Sequence, residues 1–356
     1  MTKVYVGLSG GVDSSVTAAL LQAQGYDVTG VYMKNWSQDL PGFDCPWKQD
    51  YQDAKRVAVQ LDIPFKLYDF EKEYRQYVVD YMLDGYKQGI TPNPDVMCNQ
   101  EVKFKLFLQA ALDDGADMIA TGHYARTRDG QLLTAANADK DQTYFLYRVS
   151  EDALVKTLMP IGEFTTKEEV RQKAEDFGLA TARKKDSQGI CFVGKVGIKE
   201  FLLHELGEQP RGNIVDQFGR TIGEHDGAIF YTIGQRQGLG IGGGLPYYVT
   251  GKDMQKNEVY VTTDLQDPSL WHKELRLGQL HWINQPPEQG KTYQVRTRYR
   301  ADPITCTLKT PLWEDCPPKG EKSVVISLST EVRALTPGQS AVLYDGDRVL
   351  GGGIVI

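Results

Sequence analysis

The chain has few cysteines, no long apolar run and no excess of basic charge, and each shortage narrows its class. Its five cysteines (Cys45, Cys98, Cys191, Cys306 and Cys316) are odd in number and widely scattered. They make no secreted disulfide framework. No Cys-x-x-Cys and no Cys/His pair at zinc spacing occurs, so no structural metal site is expected and the thiols are read as free. No stretch approaches the roughly 20 apolar residues that cross a bilayer. Residues 1–20 carry no basic start followed by an apolar run and a small-residue cleavage site. These absences predict a cytoplasmic protein without a membrane partner. The net charge of −7 means that any nucleic-acid binding must come from a local basic patch. Two common phosphate signatures are also missing, the Gly-Lys-Ser/Thr of a Walker loop and the Gly-x-Gly-x-x-Gly of a dinucleotide site. The length of 356 residues allows two or three domains, and 41% hydrophobic residues is ordinary for a globular chain.

What is present begins at residues 4–15, VYVGLSGGVDSS. Val4, Tyr5, Val6 and Leu8 form a short β-prone run, Gly10 and Gly11 break it, and Val16, Ala19 and Leu20 recur at helical spacing. Strand, tight turn and helix form the unit that opens a parallel α/β sheet. The glycines let a phosphate come close to the backbone, and N–H groups at a helix N-terminus carry partial positive charge. Ser9, Ser14 and Ser15 add hydroxyl donors, and Asp13 is placed to cap the helix or hold a metal ion. A plain strand–helix turn is the bland alternative, but the compact Ser-Gly-Gly-x-Asp-Ser-Ser string favours a nucleotide site. The string resembles the pyrophosphate loop of the ATP pyrophosphatase superfamily. That resemblance implies cleavage of ATP to AMP and pyrophosphate, with the adenylyl group activating an oxygen as a leaving group.

A second strand is predicted over 28–33, where Met33 either touches an adenine or is ordinary core. A polar and aromatic insertion with Cys45 follows, then a helix over 50–61, a strand over 65–70 and a helix over 71–86. In TPNPDVMCNQEVKF (91–104), Pro92 and Pro94 hold the backbone extended and Asp95 follows. A helix predicted over 102–112 puts Cys98 at or just before a helix N-terminus, which favours a reactive thiolate. A strand over 117–121 ends in Gly122 and His123. Gly122 permits close approach of a ligand, and His123 either meets substrate or is a hydrogen-bonded structural residue. Residues 128–131 read as a hairpin turn and 139–144 as a charged surface loop. Thr166-x-x-Glu169 is a capping box opening a helix over 165–177. In RKKDSQGICF (183–192), Cys191 follows a basic loop whose cations suit a thiolate or a persulfide. A last helix is predicted over 198–206.

The pattern then changes. Residues 207–251 hold 12 glycines, more than twice the density of a chain with 36 in 356. After 270, short strands recur at 274–283, 292–300, 304–310, 322–329 and 341–356, the last with an Asp345-Gly346 turn. The expected fold is α/β: a doubly wound parallel-sheet domain over 1–206, a small central β domain over 207–270 and an antiparallel β-barrel over 271–356. Arg296, Arg298 and Arg300, spaced by two, are predicted to share one strand face. That row suits a phosphate backbone or, failing that, a solvated edge.

Together SGGVDSS (9–15), TPNPDVMCN (91–99), TGHYAR (121–126), DQTYFL (141–146), DSQGICF (186–192) and FYTIGQRQGLGIGG (230–243) resemble the bacterial tRNA-specific 2-thiouridylase family along nearly the whole chain. The resemblance implies an ATP pyrophosphatase-type N-terminal domain, a central β domain and a barrel that binds tRNA. It implies that sulfur replaces the C2 oxygen of the wobble uridine in the tRNAs for Lys, Glu and Gln, with ATP as co-substrate and Mg2+ beside it. By residue, it implies that Gly7, Leu8, Ser9, Gly10, Gly11, Val12, Asp13, Ser14, Met33 and Gly122 hold ATP. Cys191 would carry a persulfide from a cysteine desulfurase or a sulfur-relay protein. Cys98 would attack the base or release the persulfide sulfur, leaving a transient Cys98–Cys191 disulfide for a reductant to open. Asp95 would be the acid or base near a flipped uridine. Asn93, Pro94, Asp95, His123, Lys140, Asp141, Gln142, Arg298, Tyr299 and Gln339 would face the tRNA.

Two other classes stay open at this point. An amidotransferase-type ligase or a lysidine synthetase of the same superfamily needs a glutaminase domain or a lysine site and no cysteine pair. A non-enzymatic nucleotide- or RNA-binding module would bind without releasing pyrophosphate.

Overall fold

A computed structural model describes residues 1–40, 42, 44–185, 192–193, 197–242, 244–309, 314–316 and 321–356, with the backbone alone for 314–316 and 321. Cys191 therefore lies outside the described residues.

The first sheet is parallel throughout. It comprises β1 (Lys3–Gly7), β2 (Asp27–Lys34), β3 (Phe65–Asp69), β4 (Met118–Ala120) and the two-residue β7 (Thr157–Leu158), in the order β3-β2-β1-β4-β7. Strand order reverses between β1 and β4, and in such sheets ligands bind beyond the strand ends at that switch point. Alternation along β1 explains the two covered faces. Val4 and Val6 pack with Val12 and Val16 of α1 (Val12–Ala23) and with Val57 of α2 (Trp47–Gln60), whereas Tyr5 packs with Phe104, Phe107 and Ala111 on the other side. Burying a side chain such as Phe107 is worth about 1.5–3 kcal/mol.

A hairpin, β5 (Arg126–Arg128) and β6 (Gln131–Leu133), leaves this region and pairs along β18 (Arg348–Val355). The central sheet has β8 (Gly212–Val215), β9 (Thr221–His225), β10 (Tyr248–Asp253) and β11 (Glu258–Thr262) in the order β10-β11-β8-β9, with β11 and β8 parallel. The last region has β12 (Trp271–Trp282), β13 (Thr292–Arg296), β14 (Ile304–Leu308), β15 (Glu314–Cys316), β16 (Glu321–Arg333), β17 (Ser340–Asp345) and β18. Six of these close a barrel as β12-β16-β14-β13-β17-β18 and back to β12, which removes its free edges. Barrel residues Ile283, Val342, Tyr344 and Val349 share one apolar cluster with Tyr5, Phe107 and Tyr147, so barrel and parallel-sheet region pack as one body. No helix among the described residues is long and apolar enough to cross a membrane.

Two expectations change. The helix before β4 starts earlier than 102: it runs from Pro94, as Pro94–Met97, π-helical turns over Cys98–Leu106 and Phe107–Asp113. Asn93 caps it, with extended φ/ψ of −113° and 96°, and Pro94 takes the first helical position, where a missing N–H costs nothing. The two prolines are thus the approach and the start of a helix, and Cys98 sits one turn inside it. The arginine row is also absent. β13 ends at Arg296, and Arg298 to Arg300 lie in the turn that follows, with Arg300 at φ +60°.

Candidate active site

The loop from β1 into α1 stands at the switch point. Gly10 has φ +75°, and a Cβ there would meet the Asp50 carbonyl oxygen at 2.4 Å, so only glycine fits. Gly11 is the helix N-cap and carries no side-chain cap. The N–H groups of the first turn therefore remain for an anion. The serines build the loop: Ser9 N donates to Ser14 Oγ (3.1 Å), Gly11 N donates to Ser9 Oγ (3.3 Å) and Ser15 Oγ donates to the Gly11 carbonyl (2.7 Å). Leu8 and Val12 are buried in the core, so their backbone alone can serve a ligand. Gly122 closes the other side. A Cβ there would lie 2.6 Å from Ser14 N, so the close approach this glycine permits is that of β4's end to the first turn of α1. Met33 lies against Gly7, where a Cβ would meet its Cε at 2.9 Å.

Asp13 neither caps the helix nor stands free. Lys167 Nζ reaches both of its oxygens at 2.7 and 2.9 Å, and the Tyr124 hydroxyl donates to Oδ1 at 2.9 Å. A Mg2+ ion at Asp13 would have to displace that ammonium. Among the described residues no group of three or more His, Cys, Asp or Glu could hold a metal ion. The described residues do not fit a metal cage built from protein ligands.

On the other face of the sheet, with Phe107 next to Gly7, is the helix that starts at Pro94. Asp95, Cys98 and Asn99 are spaced i, i+3 and i+4 and share one side of it. Burial raises the Asp95 pKa above the usual carboxylate value, and the Lys103 charge partly offsets this. Lys103 Nζ lies 3.4 Å from His123 Nε2, and His123 Nδ1 lies 2.8 Å from Thr121 Oγ1. An ammonium only donates, so Nε2 accepts and the neutral ring keeps its proton on Nδ1. Burial first, and then the Lys103 charge, push the His123 pKa well down. Asn99 is 4% exposed; its amide nitrogen donates to the Phe145 carbonyl (3.2 Å).

Cys98 is buried among Trp36, Leu40, Tyr74, Val78, Val102, Phe192 and Phe201. Phe192, the residue after Cys191, has its ring 5.8 Å from Trp36 and 5.8 Å from Tyr74. The chain next to Cys191 and the Cys98 side chain thus belong to one cluster.

The residues expected to face tRNA divide. Asp141 is 3% exposed and not on the surface: it accepts from Ala135 N and Thr143 Oγ1 and pairs with Arg296 Nη1 at 2.9 Å. Gln142 Oε1 accepts from Tyr124 N at 2.9 Å. Arg298 is exposed and donates to the Ala334 carbonyl. Tyr299 packs tilted against Phe145, with ring centroids 4.5 Å apart, and lies under the Arg300 guanidinium at 5.1 Å. Lys140 is half-buried, and Gln339 Nε2 donates to the Thr91 carbonyl at 2.8 Å. Lys103, Lys167 and Tyr124 escaped the sequence reading. Their partners lie from 20 to 154 residues away, and no local string marks them.

Family models match most of the chain: a tRNA methyl transferase HUP domain over residues 2–195, a tRNA methyl transferase PRC-barrel domain over 199–263 and an aminomethyltransferase beta-barrel domain over 272–355. The tRNA-specific 2-thiouridylase MnmA of Streptococcus thermophilus is 48% identical over 365 aligned positions, which span 99% of this chain and 95% of that one. The protein of the same name from Bacillus subtilis is 46% identical over 99% of this chain and 95% of its own length. At that identity over almost its full length, the chain belongs to the tRNA-specific 2-thiouridylase family.

Proposed function

We propose that this protein is an ATP-dependent tRNA sulfurtransferase of the cytoplasm that converts the wobble uridine of the tRNAs for Lys, Glu and Gln to 2-thiouridine. The observation that carries the reading is the pairing of an uncapped glycine-serine helix start at the switch point with a cysteine helix whose Cys98 shares one apolar cluster with Phe192. Residues 7–14, with Met33 and Gly122, take the ATP, and Mg2+ arrives on its phosphates. The flipped uridine lies at Asn93, Pro94 and Asp95, near His123. Uridine O2 attacks the α-phosphorus, pyrophosphate leaves, and the N3 proton passes to Asp95, which burial makes a stronger base than a free carboxylate. Sulfur from a persulfide on Cys191, loaded by a cysteine desulfurase or relay protein, then replaces the adenylylated oxygen, and AMP leaves. Cys98 either cleaves the persulfide to release its sulfur or attacks C2 first. Both routes end in a Cys98–Cys191 disulfide that a two-electron thiol reductant reopens. Lys140, Arg298 and Tyr299 contact tRNA, while Asp141, Gln142 and Gln339 support that surface. The division at 206/207 and 270/271 is part of the same reading.

The test is mass spectrometry of nucleosides from unmodified glutamate tRNA after incubation with the protein, Mg-ATP, sulfide and a thiol reductant. A gain of 2-thiouridine at the wobble position is expected, and Cys98→Ser or Cys191→Ser should lose persulfide-driven thiolation while still binding ATP. ATP cleavage without thiolation would sink the acceptor. Full thiolation by either single variant, with a cysteine desulfurase and cysteine in place of sulfide, would sink the two-cysteine scheme.

A further inference from the structure

All three regions of the chain meet at one residue, Thr91, two positions before the cap of the cysteine helix. Its N–H donates to the Pro337 carbonyl at 2.9 Å, and its carbonyl accepts from Gln339 Nε2 at 2.8 Å. Its hydroxyl lies 3.2 Å from the hydroxyl of Thr232 in the glycine-rich central region. Gly338, at φ +91°, presses flat on Thr91: a Cβ there would lie 2.9 Å from its N, C and O. The barrel segment is itself tied to the central region, since Thr336 Oγ1 donates to the Ile233 carbonyl at 3.5 Å. Beyond Thr91 the chain has little freedom. Pro92 packs against Gly85, where a Cβ would meet its Cγ at 2.8 Å; Asn93 caps the helix by accepting from Val96 N, and Pro94 starts it. Asp95 and Cys98 follow within one turn.

We propose that Gln339 is a positioning residue: through the Thr91 carbonyl, the barrel sets where Asp95 and Cys98 stand. This rests on the thiolation reading for its catalytic readout only. One N–H of the Gln339 amide is held by the Thr91 carbonyl, which orients the side chain toward the segment before the cysteine helix. The Gln339 backbone is also engaged, its N–H with Thr336 and its carbonyl with Val355 N. Misplacing a reacting group by about 1 Å costs on the order of 100-fold in rate.

The experiment uses the full chain and the variants Gln339→Ala, Gln339→Glu and Gly338→Ala. Gln339→Glu keeps the shape and removes the donor. Thiolation kinetics with glutamate tRNA should show kcat down by about 10- to 100-fold, with KM for tRNA and its salt dependence unchanged. Without tRNA or ATP, iodoacetamide labelling of the buried Cys98, read by peptide mass spectrometry, should run severalfold faster in each variant. A raised KM with kcat held would make Gln339 a tRNA contact and overturn the proposal. Labelling of Cys98 at the wild-type rate in all three variants would overturn it as well. Absence of 2-thiouridine with the wild-type protein would sink the thiolation reading alone, and the labelling rates would still decide the Thr91 link.

Discussion

The loop at residues 7–15 and the segment at 296–300 both looked like anion sites, and only the first has the geometry its sequence suggested. In the loop, the groups that fix the shape are neighbours. Ser9, Gly11, Ser14 and Ser15 bond to one another, so a short string encodes the whole turn. In the arginine segment, the spacing of two promised a shared strand face, but the strand ends at Arg296. Arg296 turns to Asp141, 155 residues away, and its guanidinium lies over the Tyr344 ring at 5.1 Å. Local strings report local backbone. They do not report which distant carboxylate claims a cation.

The strongest way to sharpen this contrast is Arg296→Ala. The Asp141 side chain is 1% exposed, so removing its partner leaves a buried charge. Losing one partner of such a pair costs about 3–5 kcal/mol. Denaturant unfolding should show that loss, while the salt dependence of tRNA binding stays as in the wild type. The double variant Arg296→Met with Asp141→Asn should lose less than the sum of the single changes. Additive losses would mean that the pair is not the structural tie described.

Gly10→Ala attacks the other side of the comparison. Its Cβ would collide with the Asp50 carbonyl and would require φ +75° of a residue that avoids it. ATP-dependent pyrophosphate release should fall by about 100-fold, with the melting temperature of the barrel little changed. Wild-type activity would show that the loop does not depend on its glycine.

Segment 91–99 stands between these two cases, because its residues were legible and its environment was not. Burial holds the Asp95 pKa above the unfolded value. The fold therefore binds this proton more tightly than the unfolded chain does. That contribution is fully present below the unfolded pKa of about 3.9 and is lost as pH rises through the raised value. Asp95→Asn should thus raise the melting temperature at about pH 7.5 and change it little near pH 4. Equal shifts at both values would mean that Asp95 is not strained by burial.

Much of the fold was readable, since period-2 and helical patterns mark the parallel sheet and the barrel strands, including the Asp345-Gly346 turn. The helix start at Pro94 departs from the expectation because two prolines suggest extended chain, although Asn-Pro is also a cap followed by a first helical residue. The turn at 128–131 is legible, but the place of the 126–133 hairpin beside the first residues of β18 depends on pairing more than 200 residues on. Asp13 was found and its partner was not, because Lys167 opens a helix whose capping box says nothing about where that ammonium reaches.

The smallest expected effect falls on Arg298, which with Arg300 is exposed whereas Arg296 is half-buried. Arg298 donates to the Ala334 carbonyl, and a guanidinium has five donors, so the side chain can hold that carbonyl and still meet a phosphate. One phosphate contact changes the slope of log affinity against log salt by about 1. Arg298→Ala should flatten the slope for tRNA by that amount, whereas Arg296→Ala should leave it alone. The difference between these two arginines is the sharpest form of the comparison, because they lie two residues apart and carry the same charge. If both substitutions flattened the slope, Arg296 would be reaching past Asp141 to the nucleic acid. If neither did, the barrel face would meet tRNA through uncharged groups such as the aromatic ring of Tyr299, on which a base can stack at no electrostatic cost.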